Sequence, residues 1–192
     1  MAVEPARPIQ PPSPEPCEPE VEYPERDGRP MGETEVHIQC LIDTREALRA
    51  YFRDDPNVYV GANLLLYYER GQPFLVVSPD VFVTRGIPKL PQRRAYKLWE
   101  EGRPPSFILE ITSRGTRRED RVVKKALYES LGVREYFLFD PLGEYLKPPL
   151  QGYELVRGRY RRKAATETGA SSAGSSGWSF VRKGRGSAST IR

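Results

Sequence analysis

Histidine occurs once in the 192 residues, at His37, and cysteine only twice, at Cys17 and Cys40. Cys17 falls in a Pro-rich stretch and Cys40 in a predicted helix, and neither stands at a zinc-ligand spacing from His37. Neither a disulfide framework nor a structural zinc site is expected. The chain also lacks an apolar run of membrane-spanning length and a basic, apolar, small-residue signal pattern at its start. These absences predict a cytoplasmic protein with no membrane partner. A basic body is missing too, despite the formal net charge of +4. Residues 157–192 hold nine Lys or Arg against one acid, a net of +8, so residues 1–156 carry a net −4. The charge of the body gives no argument for nucleic acid by itself, although the tail would add nonspecific phosphate affinity.

What is present reads as one domain between two low-complexity ends. Residues 1–30 contain 9 of the 19 prolines and many glutamates, too few apolar side chains to offset the entropy of ordering, and predict a disordered acidic arm. From Thr34, a fitting N-cap, to about Arg53, the residues Ile38, Leu41, Ile42, Leu48 and Phe52 predict a helix with one apolar face. Val58 to Tyr68 predicts a strand, and Phe74 to Val83 a second one interrupted at Ser78-Pro79-Asp80, where proline removes a ladder donor. Residues 85–105, with four prolines, predict a long connection containing a short strand near Tyr96. Ser106 to Ser113 predicts a buried central strand, Thr116 to Ser130 a helix ended by Gly132, and Val133 to Asp140 another buried strand. That succession favours a right-handed parallel crossover. Tyr153 to Arg161 adds a last strand, and no regular structure is expected from Ala164 onward. The fold class expected is α/β, an α+β mixed sheet flanked by helices.

Chemistry enters through one conflict: Glu110 is the only acid in the apolar run SFILEITS. An ionised carboxylate buried in a strand costs several kcal/mol unless it is paired or bound to a cation. Asp80, at the break in another strand, is a second carboxylate. Two such groups converging across a sheet make a hard oxygen site suited to Mg2+, with Mn2+ as a substitute, and such an ion polarises a phosphodiester and acidifies an attacking water. Asp120, Lys124 and Tyr128, at i, i+4 and i+8, share a helix face that can look back at Glu110, and either Lys124 or Lys125 would supply the cation for a phosphoryl transition state. The structural alternatives are an ion pair of Glu110 with Lys124, a surface pair of Asp120 with Lys124, capping by Ser113 and Thr116, core packing of Tyr128 and Tyr136, and helix-face packing of His37.

Pro79-Asp80, Glu110-Ile-Thr-Ser113, Thr116, Asp120, Lys124, Tyr128, Gly132-Val133-Arg-Glu135-Tyr136 and Asp140-Pro141, in that order, resemble the pattern of the Uma2 family over about residues 22–160. The resemblance implies a restriction-endonuclease-like PD-(D/E)xK core with Asp80 and Glu110 as metal ligands, and a Mg2+-dependent endonuclease acting on DNA. In the parent motif the lysine follows the glutamate by two residues, where this chain has Thr112; the resemblance implies that Lys124 takes the role from the helix. Glu33 matches an extra acidic residue near the first helix, and Ser113, Asp120 and Tyr128 are implied as supporting residues. The nuclease domain is expected over 31–162, with DNA as substrate and a homodimer as a further assembly to test. Two other classes stay open: a nuclease-fold module that binds nucleic acid or protein without cutting, and a defective copy.

The defective-copy reading rests on the genetic code. Residues 175–192, SSGWSFVRKGRGSASTIR, can be encoded by codons that, read one base earlier, give VLGLELRPEGAGLRLYDP, whose alternating apolar residues suit a final strand pair. The basic tail over 163–192 would then be a product of a shifted frame, with the change near codons 161–166, and the domain truncated. The gene sequence checks this: tail codons that spell the alternative are expected, with a frame-restored protein more soluble and more active, and codons incompatible with it remove the idea.

Overall fold

The computed structural model describes residues 21–26 and 33–164, together with the backbone of three short strands beyond them. Helix α1 (Glu35–Tyr51) starts where Thr34 accepts a hydrogen bond from the His37 N–H at 3.2 Å, a cap that contributes about 1 kcal/mol. Its buried stripe is His37, Cys40, Thr44 and Leu48, whereas Ile38 and Ile42, expected on that face, are each 47% exposed. The predicted strand from Val58 to Tyr68 is two pieces, β1 (Val58–Ala62) and β2 (Leu66–Tyr67), separated at Asn63, whose φ of 46° turns the chain out of the first sheet. The second predicted strand is likewise split at Ser78-Pro79-Asp80 into β3 (Val76–Val77) and β4 (Val81–Arg85). The long connection contains β5 (Tyr96–Lys97) and one helical turn, α2 (Leu98–Glu101).

Then come β6 (Phe107–Ile111), a π-helical stretch (Glu119–Lys124) running into α3 (Lys125–Ser130), β7 (Glu135–Phe139), and a hairpin of β8 (Leu150–Val156) and β9 (Arg159–Arg162). The hairpin replaces the single last strand expected from Tyr153 to Arg161; Arg157 and Gly158, at φ 53° and 77°, form its turn. The main sheet runs β1-β4-β6-β7-β8-β9, with β6 and β7 parallel as the strand, helix, strand succession predicts and every other pair antiparallel. A small second sheet, β3-β2-β5, covers part of one face. This is the mixed sheet flanked by helices expected from the sequence.

Strand alternation divides the core in two. Val81, Val83, Phe107, Leu109, Ile111, Phe137 and Phe139 pack with Cys40, Leu48 and Phe52 of α1. Phe82, Ile108, Tyr136 and Leu138 pack on the opposite face with Tyr128 of α3 and with Leu66 and Tyr96 of the small sheet.

Two expectations about the ends need correction. The arm was expected to be disordered through residue 30, but Tyr23 packs its ring on Tyr67 and Trp99 and accepts from the Gly71 N–H, Tyr67 donates to the Pro24 carbonyl, and Glu25 pairs with Arg94 at 2.7 Å. An aromatic anchor inside a Pro/Glu-rich stretch supplies the burial that its composition lacks. The remainder of the arm, residues 1–20 and 27–30, lies outside the described residues. Beyond Ala164, where no regular structure was expected, the described backbone forms β10 (Ser171–Ala173), β11 (Trp178–Lys183) and β12 (Ser187–Ile191), an antiparallel sheet of its own. Its β-branched and aromatic residues suit strands even without a regular apolar period.

Gly61 of β1 faces Phe82 of β4, and a Cβ there would lie 2.3 Å from the ring of this fully buried phenylalanine. Gly61→Ala is expected to lower the urea midpoint at unchanged slope, by the equivalent of about 1–3 kcal/mol. Adding Phe82→Leu should recover part of the loss; an unchanged midpoint for Gly61→Ala contradicts this packing.

Candidate active site

Alternation along two strands puts the two acids on one face. Phe82 of β4 lies opposite Ile108 of β6 and Val81 opposite Leu109, so continuing the register by one residue sets Asp80 beside Glu110. Both belong to the face covered by α3. The break at Pro79 frees Asp80 from the strand, and its Oδ2 accepts the Ile111 N–H at 2.6 Å, which locks the carboxylate against β6. Its Oδ1 lies 3.3 Å from His37 Nε2, and His37 Nδ1 in turn lies 3.3 Å from Glu33. The buried His37 ring thus links the start of α1 to Asp80.

From the other side the helix closes in as its spacing predicts. Glu110 is fully buried, with Oε1 taking a 2.7 Å hydrogen bond from Tyr128 and Oε2 lying 3.0 Å from the Lys124 ammonium. Lys124 also stands 3.2 Å from Asp120 Oδ1. Asp120 Oδ2 accepts from Thr112, and the Asp120 carbonyl from Tyr136. The Asp120 and Lys124 pair, readable in the sequence as a surface pair, is buried at 2% and 13% side-chain exposure.

The charge balance of this pocket is unfavourable as it stands. Three carboxylates, Asp80, Glu110 and Asp120, surround one ammonium, Lys124, so full ionisation leaves a net −2. Burial pushes the Glu110 carboxyl up to about 8; Lys124 and Tyr128 oppose the rise, and Asp80 and Asp120 add to it. Burial also raises Asp120, against the pull of Lys124. For Lys124 burial favours the neutral form, but Glu110, then Asp120 and Asp80, outweigh it and hold the ammonium well above its ordinary range. His37 behaves similarly, with burial opposed and overcome by Asp80 and Glu33.

Other expected residues have different positions. Ser113 exchanges hydrogen bonds with Thr116 at the entry to the helix, the capping role, and does not touch the carboxylates. Glu33 reaches the cluster only through His37. Lys125 points away, with its ammonium 3.8 Å from the Tyr153 ring centre. Asp140 organises the following turn by accepting from the N–H groups of Gly143, Tyr145 and Leu146. His37, read as a packing residue, is the member that sequence reasoning missed; its contact with Asp80 spans 43 positions and leaves no local signal.

The donor chemistry fits a hard divalent cation in part. Mg2+ is held by one or two carboxylates plus water and substrate oxygens, which Asp80 and Glu110 can supply. No group of three or more His, Cys, Asp or Glu among the described residues is arranged as a complete metal cage, and the Lys124 ammonium contacts both Glu110 and Asp120. The excess negative charge is the feature that favours a cation.

Without metal, a raised Glu110 pKa has a definite consequence for stability. The group contributes fully below its unfolded value near 4.5, and the contribution is lost as pH rises through the folded value of about 8. Glu110→Gln, which keeps the shape and cannot ionise, should therefore gain stability relative to the unmodified chain as pH goes from 5 to 8 in EDTA. Denaturation midpoints across that range check it; a constant difference would mean that the buried charge is already compensated.

The model of the Uma2 family, described as "Putative restriction endonuclease", matches residues 11–180, a longer stretch than the 22–160 suggested by the motif. A solved structure described as a putative nuclease belonging to DUF820 from Anabaena variabilis ATCC 29413 is similar in fold, with a TM-score of 0.50 and 12% identity over 74% of this chain and 79% of that one. No curated protein matches. With residues 11–180 under the family model, this protein belongs to the Uma2 family.

Proposed function

We propose that this chain is a Mg2+-dependent endonuclease that hydrolyses phosphodiester bonds of DNA, with Asp80, Glu110 and Lys124 as its catalytic residues. The observation that carries the reading is the excess of negative charge: three carboxylates, two of them buried, about one ammonium, on the face of the sheet where the chain breaks before β4. Asp80 and Glu110 would hold the ion through oxygens whose partners, the Ile111 N–H and Tyr128 hydroxyl, already fix their direction. When bound, the ion would polarise the scissile phosphodiester and lower the pKa of an attacking water.

The remaining work falls to side chains of the protein. Lys124, kept charged by its neighbours, donates to the phosphoryl oxygens, where negative charge grows as the bond breaks. Asp120 keeps Lys124 in place once Glu110 turns from it toward the cation. His37, held by Glu33, keeps the Asp80 carboxylate oriented from behind. Thr112 occupies the position of the parent motif's lysine but serves Asp120 instead, which is consistent with the ammonium coming from the helix.

The 3.0 Å ion pair of Glu110 with Lys124 also supports a second reading, in which the cluster is structural and the protein binds nucleic acid without cutting it. Plasmid and single-stranded DNA incubated with Mg2+ or Mn2+ distinguish the two. Cleavage is expected from the unmodified chain and none from Asp80→Asn or Glu110→Gln, which should also lose calorimetric Mg2+ binding. Lys124→Met should slow cleavage by 10²-fold or more, roughly the loss of one transition-state donor, with metal affinity retained. Binding of DNA without cleavage under every condition would leave only the second reading.

A further inference from the structure

The helical segment that turns Asp120 and Lys124 inward presents a different set of side chains outward. Residues 114–125 hold six Lys or Arg against two acids, in a chain whose first 156 residues are net negative. Arg114, Arg117, Arg118 and Arg121 are exposed, and none pairs with a carboxylate among the described residues. Arg117 lies over the Tyr145 ring at 5.6 Å, which leaves the edge of its guanidinium free. Arg117, Arg121 and Lys125 recur every four residues and so share one side of the helix. Lys125 is seated on Tyr153; burial holds its ammonium below the ordinary value, and Arg121 and Arg162 add to the lowering against the opposite pull of Glu129. Arg162, exposed on β9, is the cross-strand partner of that same Tyr153, which sets it beside Lys125 at the end of the row.

The other arginine-rich surface has no such surplus. Along the outer edge of β1, Arg45 and Arg49 meet Glu46, Arg53 meets Asp54, and Arg93 is clamped by Glu101. Its cations are largely neutralised in place.

We infer that Arg117, Arg121, Lys125 and Arg162 form a track for the backbone phosphates of duplex DNA, laid beside the carboxylate cluster. The inference rests on the nuclease reading for its choice of ligand. Unpaired guanidinium groups bind phosphate bidentately and are suited to a backbone contact that carries no sequence preference. From Arg117 to Lys125 the helix rises roughly 12 Å, about three to four nucleotides along one strand. Arg121 and Lys125 directly follow Asp120 and Lys124 in the chain, so the row borders the face that carries Lys124, and a strand lying on it would run beside the proposed catalytic groups.

The test uses the full chain, a fluorescein-labelled DNA duplex of arbitrary sequence, and EDTA to prevent cleavage. Binding by anisotropy over a range of salt is expected, and Arg117→Gln/Arg121→Gln should reduce the slope of log K against log salt by about 1.8, two phosphate contacts at ~0.9 each. Arg45→Gln/Arg49→Gln, an equal change of charge on the β1 side, should leave the slope unchanged. An unchanged slope in the first variant, an equal drop in both, or no binding by the unmodified chain overturns the track. Binding with the expected drop but no cleavage in Mg2+ supports the track and removes the nuclease reading; cleavage with an unchanged slope overturns the track alone.

Discussion

Three carboxylates, the buried Glu110 and Asp120 and the partly exposed Asp80, crowd about one ammonium, and this imbalance is the constraint on which the rest of the molecule depends. A protein interior tolerates an unbalanced charge poorly, because the loss of hydration exceeds what a single partner returns. The pocket can relieve the excess in two ways: Glu110, pushed up to about 8, can keep a proton, or a cation can enter. These states exclude one another at the same oxygen. On the proposed function, the arrangement would alternate between a protonated form and a cation-loaded form, with the nearby hydrogen bonds holding the carboxylates in either.

The fold reads as the means of enforcing that crowding. Parallel pairing of β6 with β7 requires a crossover, and the crossover helix brings Asp120, Lys124 and Tyr128 over Glu110. Its first part is π-helical, a local departure often found at functional sites. The proline before Asp80 ends β3 and frees one carboxylate from the ladder, and α1 brings His37 behind it. The crossover helix thus delivers two charged groups and the other elements one each, while the apolar residues between them form two cores on the two faces of the sheet.

Much of this was legible in the sequence because it is local. Glu110 stood out as the sole acid of an apolar strand, and the helix spacing gave Lys124 and Tyr128 a common face that does meet it. The nonlocal parts were not legible. His37 reaches Asp80 across 43 positions, so its neighbours in sequence suggested only helix packing. On α1 two overlapping periods compete, and Ile38 and Ile42 are more apolar than the His37, Cys40 and Thr44 that are buried. The split of the first predicted strand depends on a single left-handed residue, Asn63, inside an otherwise continuous β-like run. Tyr23, alone in a Pro/Glu-rich arm, could be placed only once Tyr67 and Trp99 were seen to form its seat.

The proposed exchange of a proton for a divalent cation in this pocket is most directly tested by counting protons. Calorimetric titration of the full chain with MgCl2 at pH 7, repeated in buffers of different ionisation enthalpy, gives the number released per ion bound. A carboxyl held at about 8 predicts roughly 0.9 proton released per Mg2+, falling toward zero as the titration is moved to pH 9. Binding with no proton released at pH 7, or no binding at all, would contradict it.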